Sequence, residues 1–228
     1  MGSDHWPLFG LRLRTERLEL RPASDDDLFD LAAAAAAGIH EPGAMPFNLP
    51  WSEQPPGTLE RGVLQHGWSV RARWAVTSWN VPLAVVADGQ VVGSQNVMAS
   101  DFTVTRQVST GSWLTRAHQG RGLGREMRAA ALAFAFEGLA ATHCTTAAYE
   151  DNPASLGVSR SLGYEADGWS MHPRKGLPVR LLRFRIDRER WSAHRRHEVV
   201  VEGLEPCLPM FGLGEDLEPL PDARDPMV

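Results

Sequence analysis

Leucine and arginine alternate through Leu11-Arg12-Leu13-Arg14, and the same period returns in Leu18-Glu19-Leu20-Arg21. A period of two puts one set of side chains on each face of an extended chain, so both segments predict half-buried strand. Ser24 and the run Asp25-Asp26-Asp27 follow. A serine oxygen can accept from the free N–H groups of a first turn, and acidic side chains complement the helix dipole there. A helix is therefore predicted from this point through Leu28, Leu31 and the alanines to Gly38. Residues 39–57 hold prolines and aromatics without a period and read as loop. Leu59, Val63, Leu64 and Trp68 return to helical spacing over 58–74. Leu83 to Val86 reads as strand, Asp88-Gly89 as a hairpin turn, Val91-Val92-Gly93 as the returning strand, and 105–115 as another strand.

Next comes Gln119-Gly120-Arg121-Gly122-Leu123-Gly124 and a helix to about 137, with Met127, Ala130, Ala131, Phe134 and Leu139 on its apolar face. His143 to Tyr149 reads as a strand of mostly small residues. Asp151-Asn152-Pro153 opens a helix that runs through Leu162 to Gly163. Alternation returns over 178–187, and 197–201 reads as one further strand. The order of elements predicts a mixed α/β fold with a main unit over 1–188. Residues 189–213 form an extension, packed on that unit or on a partner subunit, and the acidic, proline-rich 214–228 forms a tail.

Composition narrows the class of function. The 228 residues are 43% hydrophobic and 22% charged, ordinary globular values, with a formal charge of -5. That balance argues against a nucleic-acid partner. Only Cys144 and Cys207 are present, too few for a disulfide framework or a four-cysteine metal site, and no His/Cys cluster has metal spacing. No run of 18 apolar residues suggests a membrane span, and the first residues lack the pattern of a signal peptide. The expectation is a cytoplasmic protein without a metal. Lys175 is the only lysine among 23 basic residues, a coding bias from which no function follows.

The glycine-rich loop carries the chemistry. Between a strand and a helix, glycines let backbone N–H groups approach an anion, and the helix N-terminus adds partial positive charge. Arg121 and Arg125 bring further charge. A nucleotide P-loop needs a lysine that is absent here. A dinucleotide fingerprint fails because Met127 stands at its third glycine.

The pattern Gln119-x-x-Gly122-x-Gly124 instead resembles that of the GNAT acyl-CoA-dependent N-acyltransferases. Thr15 to Pro22 resembles the opening strand of their RimJ/RimL-like branch, which acetylates ribosomal-protein N-termini. Gly111-Ser112-Trp113-Leu114 resembles the fourth strand. Asn152-Pro153-Ala154-Ser155, with Leu162-Gly163-Tyr164, resembles the asparagine helix and its closing turn. The likeness covers residues 11 to 187. Within the branch, His5 to Phe9, Met45-Pro46-Phe47, Thr105 to Val108, the glycine loop and Asp151 to Ser155 are most similar to actinobacterial members described as probable succinyltransferases.

The resemblance implies a central, mostly antiparallel mixed sheet splayed between its fourth and fifth strands. It implies acetyl-CoA or succinyl-CoA as donor and an amine acceptor on a protein N-terminus, a lysine or a small metabolite. The backbone of Trp113, Leu114 and Thr115 is then expected to pair with the pantetheine arm, an N–H near Trp113 polarising the thioester carbonyl. Amides from Gln119 through Gly120, Arg121, Gly122, Leu123 and Gly124 to Arg125 would hold the pyrophosphate. Asn152 would bind the pantetheine arm or order a water near it, and Ser155 would hydrogen-bond close to the cofactor. The amine attacks the thioester directly in a ternary complex, and a homodimer or higher oligomer is expected.

Two departures stand out. Ser159 occupies the position of the usual acid tyrosine, and Ser109 that of the usual acidic residue on the fourth strand. Glu150 and Asp151 are the leading base candidates, with Asp101 and His118 behind them and Ser159 as a candidate acid. His40, Phe47 and Trp51 are candidates for the acceptor wall. Each has a plainer alternative. Asn152 can be only a helix cap, the serines packing residues, His118 a solvated loop residue, and the tryptophans core. Cys144 reads as a buried hydrophobe. Because the two usual acid–base groups are missing, an acyl-CoA-binding module with little turnover stays open, as does a resistance or biosynthetic enzyme acting on a small amine.

Overall fold

A computed structural model describes residues 5–214. The tail expected over 214–228 lies outside them except for Gly214. The two leucine-rich alternating segments form β1 (Arg12–Arg14) and β2 (Leu18–Pro22), paired antiparallel. The inward leucines Leu13, Leu18 and Leu20 are buried, as the period of two requires. Helix α1 (Asp25–Ala36) starts at Ser24 with a reciprocal cap. The Ser24 hydroxyl accepts from the Asp27 N–H, and the Asp27 carboxylate accepts from the Ser24 N–H. Helix α2 (Thr58–Ala72) packs beside α1, after the loop of residues 39–57.

Strands β3 (Ser78–Ala87) and β4 (Gln90–Ser100) form the long hairpin about Asp88-Gly89. A short turn, α3 (Phe102–Thr105), leads into β5 (Gln107–Leu114). The glycine loop opens α4 (Leu123–Ala133), which widens to a π-turn over Phe134–Gly138. Next come β6 (His143–Tyr149), α5 (Pro153–Ser161), β7 (Glu165–Arg174), β8 (Leu177–Asp187), α6 (Arg188–His194) and β9 (Val200–Glu202). The nine strands of the described residues form one sheet in the order β7-β8-β6-β5-β4-β3-β2-β1-β9. Helices α1 and α2 cover one face, where Leu28, Leu31 and Val63 pack with Ala84 and Trp113. The α4 face holds the larger core, with Met127, Phe134 and Phe136 over Leu20, Val85 and Val108.

Among the described residues only the β5–β6 pair is parallel, and it is paired over half its length: Gln107 to Thr110 stand against His143 to Thr146. Beyond that, β5 stays on β4 and β6 stays on β8. The strands therefore part after Thr110 and Thr146. Because β1 is a strand of its own, the splay expected between a fourth and a fifth strand falls between β5 and β6.

Strand β7 has no counterpart in the sequence pattern. It is exposed along most of its length, and its one alternating stretch, Trp169-Ser170-Met171-His172, is confined between the interruption at Asp167-Gly168 and Pro173. Residues 189–213 pack on the sheet: β9 pairs with β1, Trp191 packs at a tilt against Phe136, and Phe211 is fully buried among Trp74, Trp79 and Phe134. Among the described residues no helix is long and apolar enough to cross a membrane.

Candidate active site

The opening between β5 and β6 has two walls and a loop at its mouth. Strand parity fixes which backbone groups face it. The Thr115 N–H donates to the Val92 carbonyl, so Thr115, Trp113 and Gly111 point their peptide groups at β4. Ser112 and Leu114 therefore turn theirs to the opening. The pattern below the fork agrees, since the Val108 and Thr110 carbonyls accept from the Thr145 and Thr146 hydroxyls of β6. The N–H groups free to meet a ligand are those flanking Trp113, not its own.

At the mouth, Gln119 latches the loop. Its side-chain nitrogen donates to the Leu114 carbonyl at 2.8 Å and to the Ile39 carbonyl at 2.6 Å. The Gln119 N–H is used by the Arg116 carbonyl. Those of Gly120 to Gly124 have no hydrogen-bond partner among the described residues. Gly122 is the N-cap of α4 with φ of +82°, a region that disfavours side chains. Arg121 and Arg125 are exposed beside it, and neither makes an ion pair among the described residues. Such a row of N–H groups at a helix start, flanked by cations, fits a pyrophosphate.

Arg17 and Glu126 hold this loop from behind, a pair that the spacing in the sequence did not reveal. The Glu126 carboxylate is 1% exposed and accepts from the Thr15 hydroxyl, the Arg17 N–H and the Arg17 guanidinium. Burial disfavours its charge, but the Thr15 and Arg17 bonds outweigh burial and hold it below the ordinary glutamate value. Arg17 also donates to the Arg121 carbonyl.

On the α5 side, the Asn152 side-chain oxygen caps the helix by accepting from the Ser155 N–H at 3.1 Å. Its amide nitrogen has no partner among the described residues, so capping and ligand binding are compatible. The Ser155 hydroxyl is likewise free and half-buried. Ser159 is fully buried, and its hydroxyl donates to the Ser155 carbonyl at 3.1 Å. That bond uses its proton within the helix.

On the α1–α2 side, four aromatic rings run from the 39–57 loop to the splayed strand. His40 meets Phe47 at 6.1 Å between centroids, Phe47 meets Trp51 at 4.9 Å, and Trp51 meets Trp113 at 6.1 Å. The structure thus brings His40, Phe47 and Trp51 together beside Trp113. His40 is held by the Ser52 hydroxyl at 2.8 Å and the Glu41 carbonyl at 3.0 Å. Tyr149, the last residue of β6, lies on this face with its hydroxyl donating to Asn48 at 2.9 Å and the Arg174 guanidinium 4.4 Å over its ring.

The base candidates separate. Asp151 is paired with Arg174 through both oxygens, and the Arg174 bonds hold its carboxyl below the usual range. Glu150 is exposed beside it. His118 bonds to the Thr115 hydroxyl at 2.8 Å near the loop. Asp101 lies beside the start of β5, at the far end of the strand from the opening. Cys144 is buried against the Tyr164 hydroxyl at 3.2 Å, and burial pushes its thiol up. No cluster that could hold a metal ion exists among the described residues.

The acetyltransferase (GNAT) domain family matches residues 17–165, well over half of the chain, and the chain belongs to that family. Solved structures share the fold at low identity. Mycobacterium smegmatis RimJ, in complex with CoA-disulfide, is 18% identical, covers 85% of this chain and 97% of its own, and superposes with a TM-score of 0.64. A RimL ribosomal α-N-protein acetyltransferase in complex with coenzyme A gives 13%, 76%, 95% and 0.63. A spermidine N-acetyltransferase SpeG chimera from Vibrio cholerae and hSSAT gives 16%, 78%, 99% and 0.61.

Proposed function

We propose that the protein transfers an acetyl or succinyl group from coenzyme A to a primary amine, by direct attack of the amine on the thioester. One observation carries this reading. The strand opening begins beside a loop whose N–H groups have no internal partner, so a pyrophosphate site and a slot for an extended arm are adjacent. Amides from Gly120 to Gly124, with Arg121 and Arg125, hold the pyrophosphate. The free Asn152 amide and the Ser155 hydroxyl bind the arm. The Ser112 or Leu114 N–H donates to the thioester oxygen, where negative charge builds as the amine adds.

The acceptor enters from the opposite face, along His40, Phe47, Trp51 and Trp113. Its acidic neighbours are neutralised: Glu41 by Arg116, Glu53 by Lys175, Asp151 by Arg174. An aromatic wall beside which, among the described residues, only Glu150 is left without an ion-pair partner suits a small metabolite amine better than a strongly basic peptide. Holding amine and thioester together supplies much of the acceleration, and a neutral amine needs only a weak base, such as water at Glu150.

Thermal-shift titration with CoA, acetyl-CoA and succinyl-CoA tests the donor. A rise in melting temperature with all three is expected, and the larger rise between the two acyl forms names the donor. No rise with any of them sinks the reading. Turnover of an amine then separates an enzyme from a module that only binds.

A further inference from the structure

Arg128 is the second-turn arginine of α4, and it is 4% exposed. Its guanidinium reaches the point where β5 and β6 part. Nη1 donates to the Thr146 hydroxyl at 3.0 Å, on the last paired residue of β6. Nη2 donates to the Ser112 hydroxyl at 3.0 Å, on the first free turn of β5. Nε points at the Gln95 side-chain oxygen at 3.4 Å, on β4. All three acceptors are neutral. Among the described residues no carboxylate lies within ion-pair distance of Arg128, whereas the partly buried Arg12, Arg21, Arg71 and Arg174 each pair with one. A guanidinium has five N–H groups, so two remain unused.

A buried cation without a counter-ion is costly to keep, and a hydrophobic residue of similar volume would suit this apolar helix face better. The packing of α4 against the sheet therefore does not account for it. Its place does. Ser112 offers its N–H to the strand opening while its hydroxyl is held by Arg128, so the charge sits one serine side chain from the reacting group. Transfer builds negative charge at that spot. The amine nitrogen bonds to the carbonyl carbon, the C–S bond breaks with its electron pair going to sulfur, and the amine proton passes to water. The tyrosine that would answer this charge from α5 is replaced by Ser159, whose proton is already used.

We propose that Arg128 is a catalytic residue, stabilising the negative charge that passes from the thioester oxygen to the departing CoA sulfur. This rests on the acyl-transfer reading above. The two N–H groups left over meet a ligand in the opening, and the charge is unpaired in the resting protein because its counter-charge exists only during transfer.

The test is a titration of the CoA thiol on the whole protein. CoA bound to the unaltered protein is expected to form thiolate, read by its ultraviolet absorbance, at clearly lower pH than free CoA. In Arg128→Met the midpoint returns to the free value, CoA still binds, the melting temperature holds or rises, and kcat for amine acylation falls about ten- to a hundredfold with little change in KM. Arg128→Lys keeps the charge and recovers part of the thiol shift. A thiol that titrates at its free value on the unaltered protein overturns the proposal, whether or not the variants fold. Equal midpoints in the unaltered protein and Arg128→Met overturn it as well. Failure of CoA to bind at all is a different result, because it removes the acyl-transfer reading itself.

Discussion

Single residues decide whether the loop is a turn or a binding site. Gly124 separates the two. A Cβ added there would lie 3.7 Å from Val158 and 3.9 Å from Leu114, ordinary contact distances, and its φ is not in the left-handed region. Nothing inside the protein requires glycine at this position. A helix gains up to about 1 kcal/mol when glycine becomes alanine, so Gly124→Ala is expected to keep or raise the melting temperature. The added methyl points at Val158 of α5 and Leu114 of β5, where the proposed arm would leave the pyrophosphate loop, and CoA affinity is expected to fall at least about tenfold. Calorimetric titration with CoA checks this, and unchanged affinity would mean that the proposed site does not need a glycine at 124. The loop was legible in the sequence because glycine is conspicuous there. Arg128 was not, although an arginine inside Met127 to Ala133, with Gly124 and Leu132 four residues to either side, is a charge with no helical partner, and that is a signal.

Elements were legible where one face is buried and the other is wet. β1, β2, the β3–β4 hairpin and the cap of α1 all follow from period and capping chemistry. β7 escaped because its alternation is short, bounded by Asp167-Gly168 and Pro173, and inverted: the apolar Trp169 and Met171 face out while Ser170 and His172 are half-buried. The splay is also invisible to periodicity, being a matter of which strand each half pairs with. The C-terminal elements show how much a weak pattern can hide. β9 is only three residues long, yet the chain after it puts Phe211 against Trp74, Trp79 and Phe134, with the Trp74 indole N–H donating to the Met210 carbonyl at 3.1 Å. Truncating a buried phenylalanine costs about 3–5 kcal/mol. Phe211→Ala should therefore lower the stability of the whole domain by that order in urea unfolding, as one cooperative transition. A separate, early transition confined to the extension would show instead that residues 189–213 fold apart from the sheet.

At the scale of the whole molecule, the loop and the fold share one electrostatic support. Glu126 and Asp27 are both buried carboxylates held ionised, Glu126 by Thr15 and Arg17 and Asp27 by Arg21 and Ser24, in each case against the opposing effect of burial. Their folded values lie below the ordinary ones, so the folded state binds their protons less readily than the unfolded chain. Each therefore contributes stability that is fully present above the ordinary carboxylate range, about 3.9 to 4.3, and is lost as pH falls through the lower folded value. Glu126 couples this to ligand binding, since Arg17 bridges its carboxylate to the Arg121 carbonyl of the loop. Glu126→Gln removes one of the two titrations. Its melting temperature should lie below that of the unaltered protein at neutral pH, and the gap should narrow as pH falls toward 3, where the unaltered carboxylate is itself being protonated. CoA affinity at neutral pH should drop in the same variant, because Arg17 is no longer anchored behind the loop. Melting curves that stay parallel down to the acid limit would mean that Glu126 acts by shape, not by charge. The link between acid stability and cofactor binding would then be absent.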